Sequence, residues 1–147
     1  MAKEKAPGIR VFVYGTLKRG HGNHSWFLDR EDVDFLGRAV VTGPYRMCDL
    51  GYFPAVVRDD SGDTPDDSTI VGEVYRVPPE VLDALDVLEG HPEWYHREQV
   101  QTPWKRAWLY FMPGLETKDA AICEDGIWSE TPEEREFFEE WRSGTEG

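Results

Sequence analysis

Ile9-Arg10-Val11-Phe12-Val13-Tyr14-Gly15-Thr16-Leu17-Lys18-Arg19-Gly20 opens on a β-branched and aromatic run that stops abruptly at a glycine. The run is strand material, and the glycine turns the chain into a tight loop that lasts to Gly22. A glycine turn at a strand end can expose successive backbone N–H groups as a nest for an anion, with Lys18 and Arg19 as candidate helpers. Taken alone, the pattern reads first as a plain β-turn.

Working outward, residues 23–30 suit a short helix with Trp26 and Phe27 inward, and 33–42 and 45–49 suit two strands joined across Gly43-Pro44. Phe53-Pro54-Ala55-Val56-Val57 is a further strand; Pro54 lacks a backbone donor and belongs at its start, at an edge or at a bulge. After a polar loop from Asp59 to Ser68, strand character resumes over 70–77. Pro78-Pro79 ends it and pre-sets the first turn of a helix that Gly90 closes. Residues 95–102 and 104–112 make two more strands, split by Pro103. Several short strands around one central helix, without strand-helix alternation, predict an α+β fold. Its form is a compact mixed β-barrel or strongly curved sheet with one central helix and short peripheral helices. Residues 8–112 would make the barrel domain and 113–147 an extension on it. In that extension Thr131-Pro132-Glu133-Glu134 is a capping box opening a helix over 132–142. Phe137, Phe138 and Trp141 give this helix an apolar stripe for docking on its own domain.

The chain has 147 residues, the size of one ordinary domain, and a net charge of −13 with no Lys/Arg run. That balance argues against nucleic-acid and anionic-membrane partners, and no apolar run reaches the ~20 residues of a spanning helix. Cys48 and Cys123 form no Cys-x-x-Cys pattern, and no apolar leader follows Met1-Ala2-Lys3-Glu4-Lys5, so the expected setting is cytoplasmic with two free thiols. An acidic protein repels an anionic metabolite at long range, so a carboxylate-bearing substrate must be gripped by local donors. Backbone N–H groups can do this without any net positive charge.

On a helical wheel Val81, Leu82, Leu85 and Leu88 share an arc of roughly 120°, and Glu89 falls within it while Asp83 and Asp86 face elsewhere. An inward carboxylate is costly when ionised and responds by raising its pKa, as does a carboxylate in the last turn of a helix. Glu89 is therefore the candidate general acid/base. The competing reading sends it to solvent at the helix end, or pairs it with Arg97.

Val13-Tyr14-Gly15-Thr16-Leu17, Gly51-Tyr52-Phe53-Pro54-Ala55, Val71-Gly72-Glu73-Val74-Tyr75, and Leu85 to Glu89 followed by Tyr95 occur in this order. Together they resemble the γ-glutamylcyclotransferase-like family over about residues 10–112. The resemblance implies a cofactor-free enzyme in which Glu89 is catalytic. Tyr14, Gly15, Thr16 and Leu17, with Tyr52, Phe53, Pro54 and Tyr95, would bind a small-molecule γ-glutamyl substrate. The implied reaction closes 5-oxoproline and expels an amine. Thr16-Leu17 in place of Ser-Asn after the glycine resembles the AIG2-like branch acting on γ-glutamylamines. The chain would work as a monomer or homodimer.

Two other readings stay beside this one. The same barrel mouth could bind a small carboxylate metabolite or a protein partner without turnover. His21 with His24, and His91 with His96, bring no cysteine or inward carboxylate at a usual metal spacing, so surface or capping roles are expected and no metal. Asp60, Asp63, Asp66 and Asp67 fail the spacing of a calcium loop.

Overall fold

In the computed structural model, which describes residues 8–113 and 121–146, the opening run forms β1 (Ile9–Val13). The start at Met1–Lys5, residues 114–120 of the extension and Gly147 lie outside the described residues. The chain continues through α1 (His24–Phe27), β2 (Asp34–Gly43), β3 (Tyr45–Asp49), β4 (Pro54–Arg58) and β5 (Ser68–Val77). Then come α2 (Pro79–Glu89), β6 (His96–Thr102), β7 (Lys105–Phe111), β8 (Ala121–Cys123) and α3 (Pro132–Glu146). Among the described residues no helix is long and apolar enough to cross a membrane.

The strands form one mixed sheet in the order β2-β5-β1-β7-β4-β3-β8, with β6 also on β7. β7 pairs with β6 along its whole length. Its other edge is shared, taking β1 in parallel at Trp108 and β4 in parallel at Phe111. The sheet forks at this point, because β4 occupies the stretch of edge that β1 would otherwise continue along. Tyr14, the residue after β1, fills the fork: its hydroxyl donates to the Tyr110 carbonyl at 2.6 Å and accepts from the Val56 N–H at 3.3 Å. From there the chain leaves the sheet into the loop that starts at Gly15.

The sheet curls strongly into a half-barrel, bringing β3 towards β5 and β2 towards β6. Strand alternation sorts the apolar residues onto two faces. Phe12, Val41, Met47, Val56, Val74, Val100 and Leu109 come from seven different strands and pack together inside the curl. Val11, Val13, Tyr75 and Val77 point the other way and are covered by Val81, Leu82 and Leu85 of α2. α3 docks separately, with buried Phe138 and the flanking Phe137 and Trp141 against Val40, Val71 and Ile127. Its capping box is formed in full: Glu134 Oε1 accepts from the Thr131 N–H and hydroxyl, and the Glu134 N–H donates back to Thr131 Oγ1.

Several expectations need correction. α1 is a single turn with no buried residue, so Trp26 points outward and is 80% exposed; only Phe27 packs against the core. α3 extends to Glu146, past the expected end at 142. β8 was not expected; it pairs antiparallel with β3, Cys48 opposite Ile122.

Candidate active site

The end of α2 sets the position of Glu89. Pro79 starts the helix, and Gly90 ends it in the left-handed region at φ 65°, donating its N–H to the carbonyls of Asp86 and Val87. The left-handed cap favours glycine there, since a side chain would be strained. Val81, Leu82 and Leu85 are buried as the wheel predicts, but Leu88 is 38% exposed. The last turn of α2 overhangs an opening in the protein, so Leu88 is only partly covered and lines that opening. Asp86, turned elsewhere on the wheel, takes the Arg97 guanidinium at 2.8 Å and the Tyr110 hydroxyl at 2.6 Å. Arg97 is therefore the partner of Asp86 and not of Glu89.

Glu89 is half-buried, and burial alone pushes its carboxyl up to about 7. The phenols around it do not offset this, because each proton is committed elsewhere. Tyr14 donates to the Tyr110 carbonyl, Tyr95 to the Pro54 carbonyl at 2.9 Å, and Tyr110 to Asp86. All three phenols are raised, first by their own burial and further by the charge of Glu89, and so stay protonated. A carboxylate that no donor stabilises keeps its proton near neutral pH and can either take or give it.

Opposite stands the first loop. The Lys18 N–H donates to the Gly15 carbonyl at 3.0 Å, and Asn23 reaches back to Thr16 through its N–H at 3.1 Å and its side-chain amide at 2.7 Å. The N–H groups of Thr16 and Leu17 take no part in these turn bonds. Gly15 passes so close to Pro54 that a Cβ would lie 2.8 Å from the proline ring. Buried Glu73 fastens the far side of the loop, accepting the Arg19 N–H and the Tyr75 hydroxyl, each at 2.9 Å.

Neither loop cation serves as the expected helper. Lys18 is 1% exposed, and its ammonium donates to Glu134 and to the Trp128 carbonyl, both at 2.6 Å. The Arg19 guanidinium lies 3.8 Å over the ring of Phe35. Burial in the fold, with an acid from α3 as partner, takes Lys18 out of the opening altogether.

Between the end of α2 and the loop lies a cavity of about 530 Å³, a size suited to a small metabolite. Glu89 lines it, as do Tyr14, Gly15, Thr16 and Leu17. Tyr52, Phe53, Pro54 and Tyr95 complete the set expected from the sequence. Asn23, Val87, Leu88 and Trp94 also line it and are not among the residues expected at the site from the sequence, where Leu88 reads as part of the helix's apolar face. Trp94 carried a signal: a tryptophan a few residues beyond a glycine helix cap, in a polar setting, has no strand or helix to hide it.

The histidines are otherwise engaged: His24 Nδ1 is 3.1 Å from the Leu17 carbonyl, His21 lies tilted against Trp128, and His91 stacks on His96. Among the described residues no group of three or more His, Cys, Asp or Glu side chains is placed to hold a metal ion. Cys48 and Cys123 are free thiols, both raised by burial.

A curled mixed sheet with one inward helix-end carboxylate facing a glycine loop defines a class of small α+β barrel. The family model described as gamma-glutamyl cyclotransferase, AIG2-like, matches residues 11–130. The chain belongs to that family. It is 34% identical over 102 residues to the gamma-glutamylcyclotransferase family protein YtfP of Escherichia coli K12, spanning 69% of this chain and 80% of that protein. A mouse AIG2-like protein of known crystal structure superposes with a TM-score of 0.69 at 26% identity, over 87% of this chain and 93% of that one. An uncharacterised Pyrococcus horikoshii protein shares the fold at a TM-score of 0.64 and 23% identity, over 94% of this chain and 96% of that one. Family and relatives give the chain a γ-glutamylcyclotransferase-like function.

Proposed function

We propose that the protein releases 5-oxoproline and a free amine from a γ-glutamylamine, with Glu89 as general acid/base. The observation that carries this is the carboxyl of Glu89, raised to about 7 by burial, in the wall of a cavity whose other side is the Gly15–Leu17 loop. The α-ammonium of the substrate loses a proton to the Glu89 carboxylate. Its nitrogen then attacks the γ-carbonyl carbon, Glu89 gives its proton to the leaving nitrogen as the bond from that carbon breaks, and the second proton of the new ring nitrogen passes through the freed carboxylate to the amine, which departs as an ammonium. Folding the substrate so that amine and carbonyl lie within about 3.5 Å removes the chain freedom that opposes ring closure in water. The N–H groups of Thr16 and Leu17, left out of the turn bonds, suit the substrate α-carboxylate or the developing oxyanion. A γ-glutamylamine is preferred to a γ-glutamyl amino acid because, among the described residues lining the cavity, no Lys, Arg or His is present to pair a second carboxylate. Glu89→Gln keeps size and fold but cannot exchange the proton, so 5-oxoproline formation should fall by about 100-fold or more. A variant that retains full turnover refutes the role.

A further inference from the structure

The outer part of the cavity is more apolar than a glutamyl head requires. Seven large hydrophobic side chains are exposed among the described residues, and five of them, Tyr52, Phe53, Val87, Leu88 and Trp94, line this one cavity. Tyr52 is 94%, Val87 82% and Trp94 71% exposed, so they support no core. Scattered exposed apolar residues need no explanation, whereas a concentration of them around an opening marks a surface meant to be covered by a ligand. The patch is contributed by two separate segments, the turn before β4 and the end of α2 with the residues after it, which face one another across the mouth.

The charges narrow the ligand. Glu89 is the only Asp, Glu, Lys, Arg or His among the described residues lining the cavity. A carboxylate on the leaving group would find no cation there and would meet a protein of net charge −13. An ammonium could pair only with Glu89, the group that must remain free to move the proton. A neutral apolar body meets none of these costs and can lie against the indole of Trp94 and the phenol of Tyr52, with Val87 and Leu88 beside them. Resting on the cyclotransferase reading, we infer that the leaving amine carries an apolar, aromatic or branched body, and that Trp94 and Tyr52 determine this specificity.

The test measures kcat/KM for 5-oxoproline release from three synthetic substrates: γ-glutamylbenzylamide, the γ-glutamyl amide of an alkyl diamine with its far ammonium free, and γ-glutamylphenylalanine. The benzylamide should exceed each of the others by about tenfold or more. Trp94→Ala should reduce that preference at least severalfold, chiefly through KM, while Trp26→Ala, whose exposed ring lies outside the cavity lining, should leave it in place. Equal or better turnover of the ammonium or carboxylate substrate, or a preference untouched by Trp94→Ala, overturns this inference and leaves the cyclotransferase reading standing. If folded protein forms no 5-oxoproline from any of the three, both fall.

Discussion

Removing one member of the Lys18–Glu134 pair tests whether the extension holds the first loop in place. Both side chains are almost fully buried, at 1% and 4% exposure, and the ammonium sits 2.6 Å from Glu134 Oε2. Lys18→Met leaves Glu134 without a counter-charge, and Glu134→Gln leaves the ammonium with amide oxygens as acceptors and no counter-charge. An orphaned buried charge costs about 3–5 kcal/mol, a large share of the 5–15 kcal/mol that a domain has. For a chain near 150 residues this lowers Tm by on the order of 10 °C. The double variant Lys18→Met with Glu134→Gln has no buried charge to orphan and should recover most of the loss. Urea unfolding of the wild type, both single variants and the double variant gives the coupling energy directly, expected above about 2 kcal/mol. Single variants that each cost under about 1 kcal/mol and add in the double would show that the pair is not what fixes the loop.

Glu89 should also make the protein less stable where it is functional. Its folded pKa of about 7 lies above the ordinary value of 4.5, so the carboxyl weighs nothing on stability below about pH 4.5, its cost grows between pH 4.5 and 7, and it levels off above that. Denaturation across pH should find Glu89→Gln matched to the wild type at pH 4 and more stable by up to about 3 kcal/mol at pH 8; a pH-independent difference would contradict the burial of the carboxyl. Gly15→Ala puts a methyl 2.8 Å from the Pro54 ring. Because the proline cannot flex away, the loop must shift, lowering stability by about 1–3 kcal/mol and kcat/KM by roughly 100-fold; unchanged kinetics would remove the loop from the substrate.

Those features were legible in the sequence that rest on local chemistry. Pro54 does start β4, Gly90 does cap α2, and Thr131 with Glu134 does close a capping box, because each follows from a residue and its immediate neighbours. The wheel also turned Glu89 inward, since Val81, Leu82 and Leu85 anchor the helix face. What stayed hidden depends on distant chain. Lys18 meets Glu134 across 116 residues, and nothing around either residue announces the other. Leu88 obeys the helical period but overhangs a void, and periodicity cannot tell an inward direction that meets protein from one that meets a cavity. The turn at α1 is too short to bury the ring of Trp26. β8 is three residues long, below the length at which alternation means anything.

The shared edge of β7 separates two kinds of evolutionary freedom. Tyr14 at the branch point is tied into the ladder on both sides, so drift there would unravel the frame itself. Tyr52, Val87 and Trp94 on the lip hold up nothing beneath them. Substitutions on the lip can therefore reshape the mouth of the cavity at little cost to the frame, so the shape of the opening is free to change where the branch point is not.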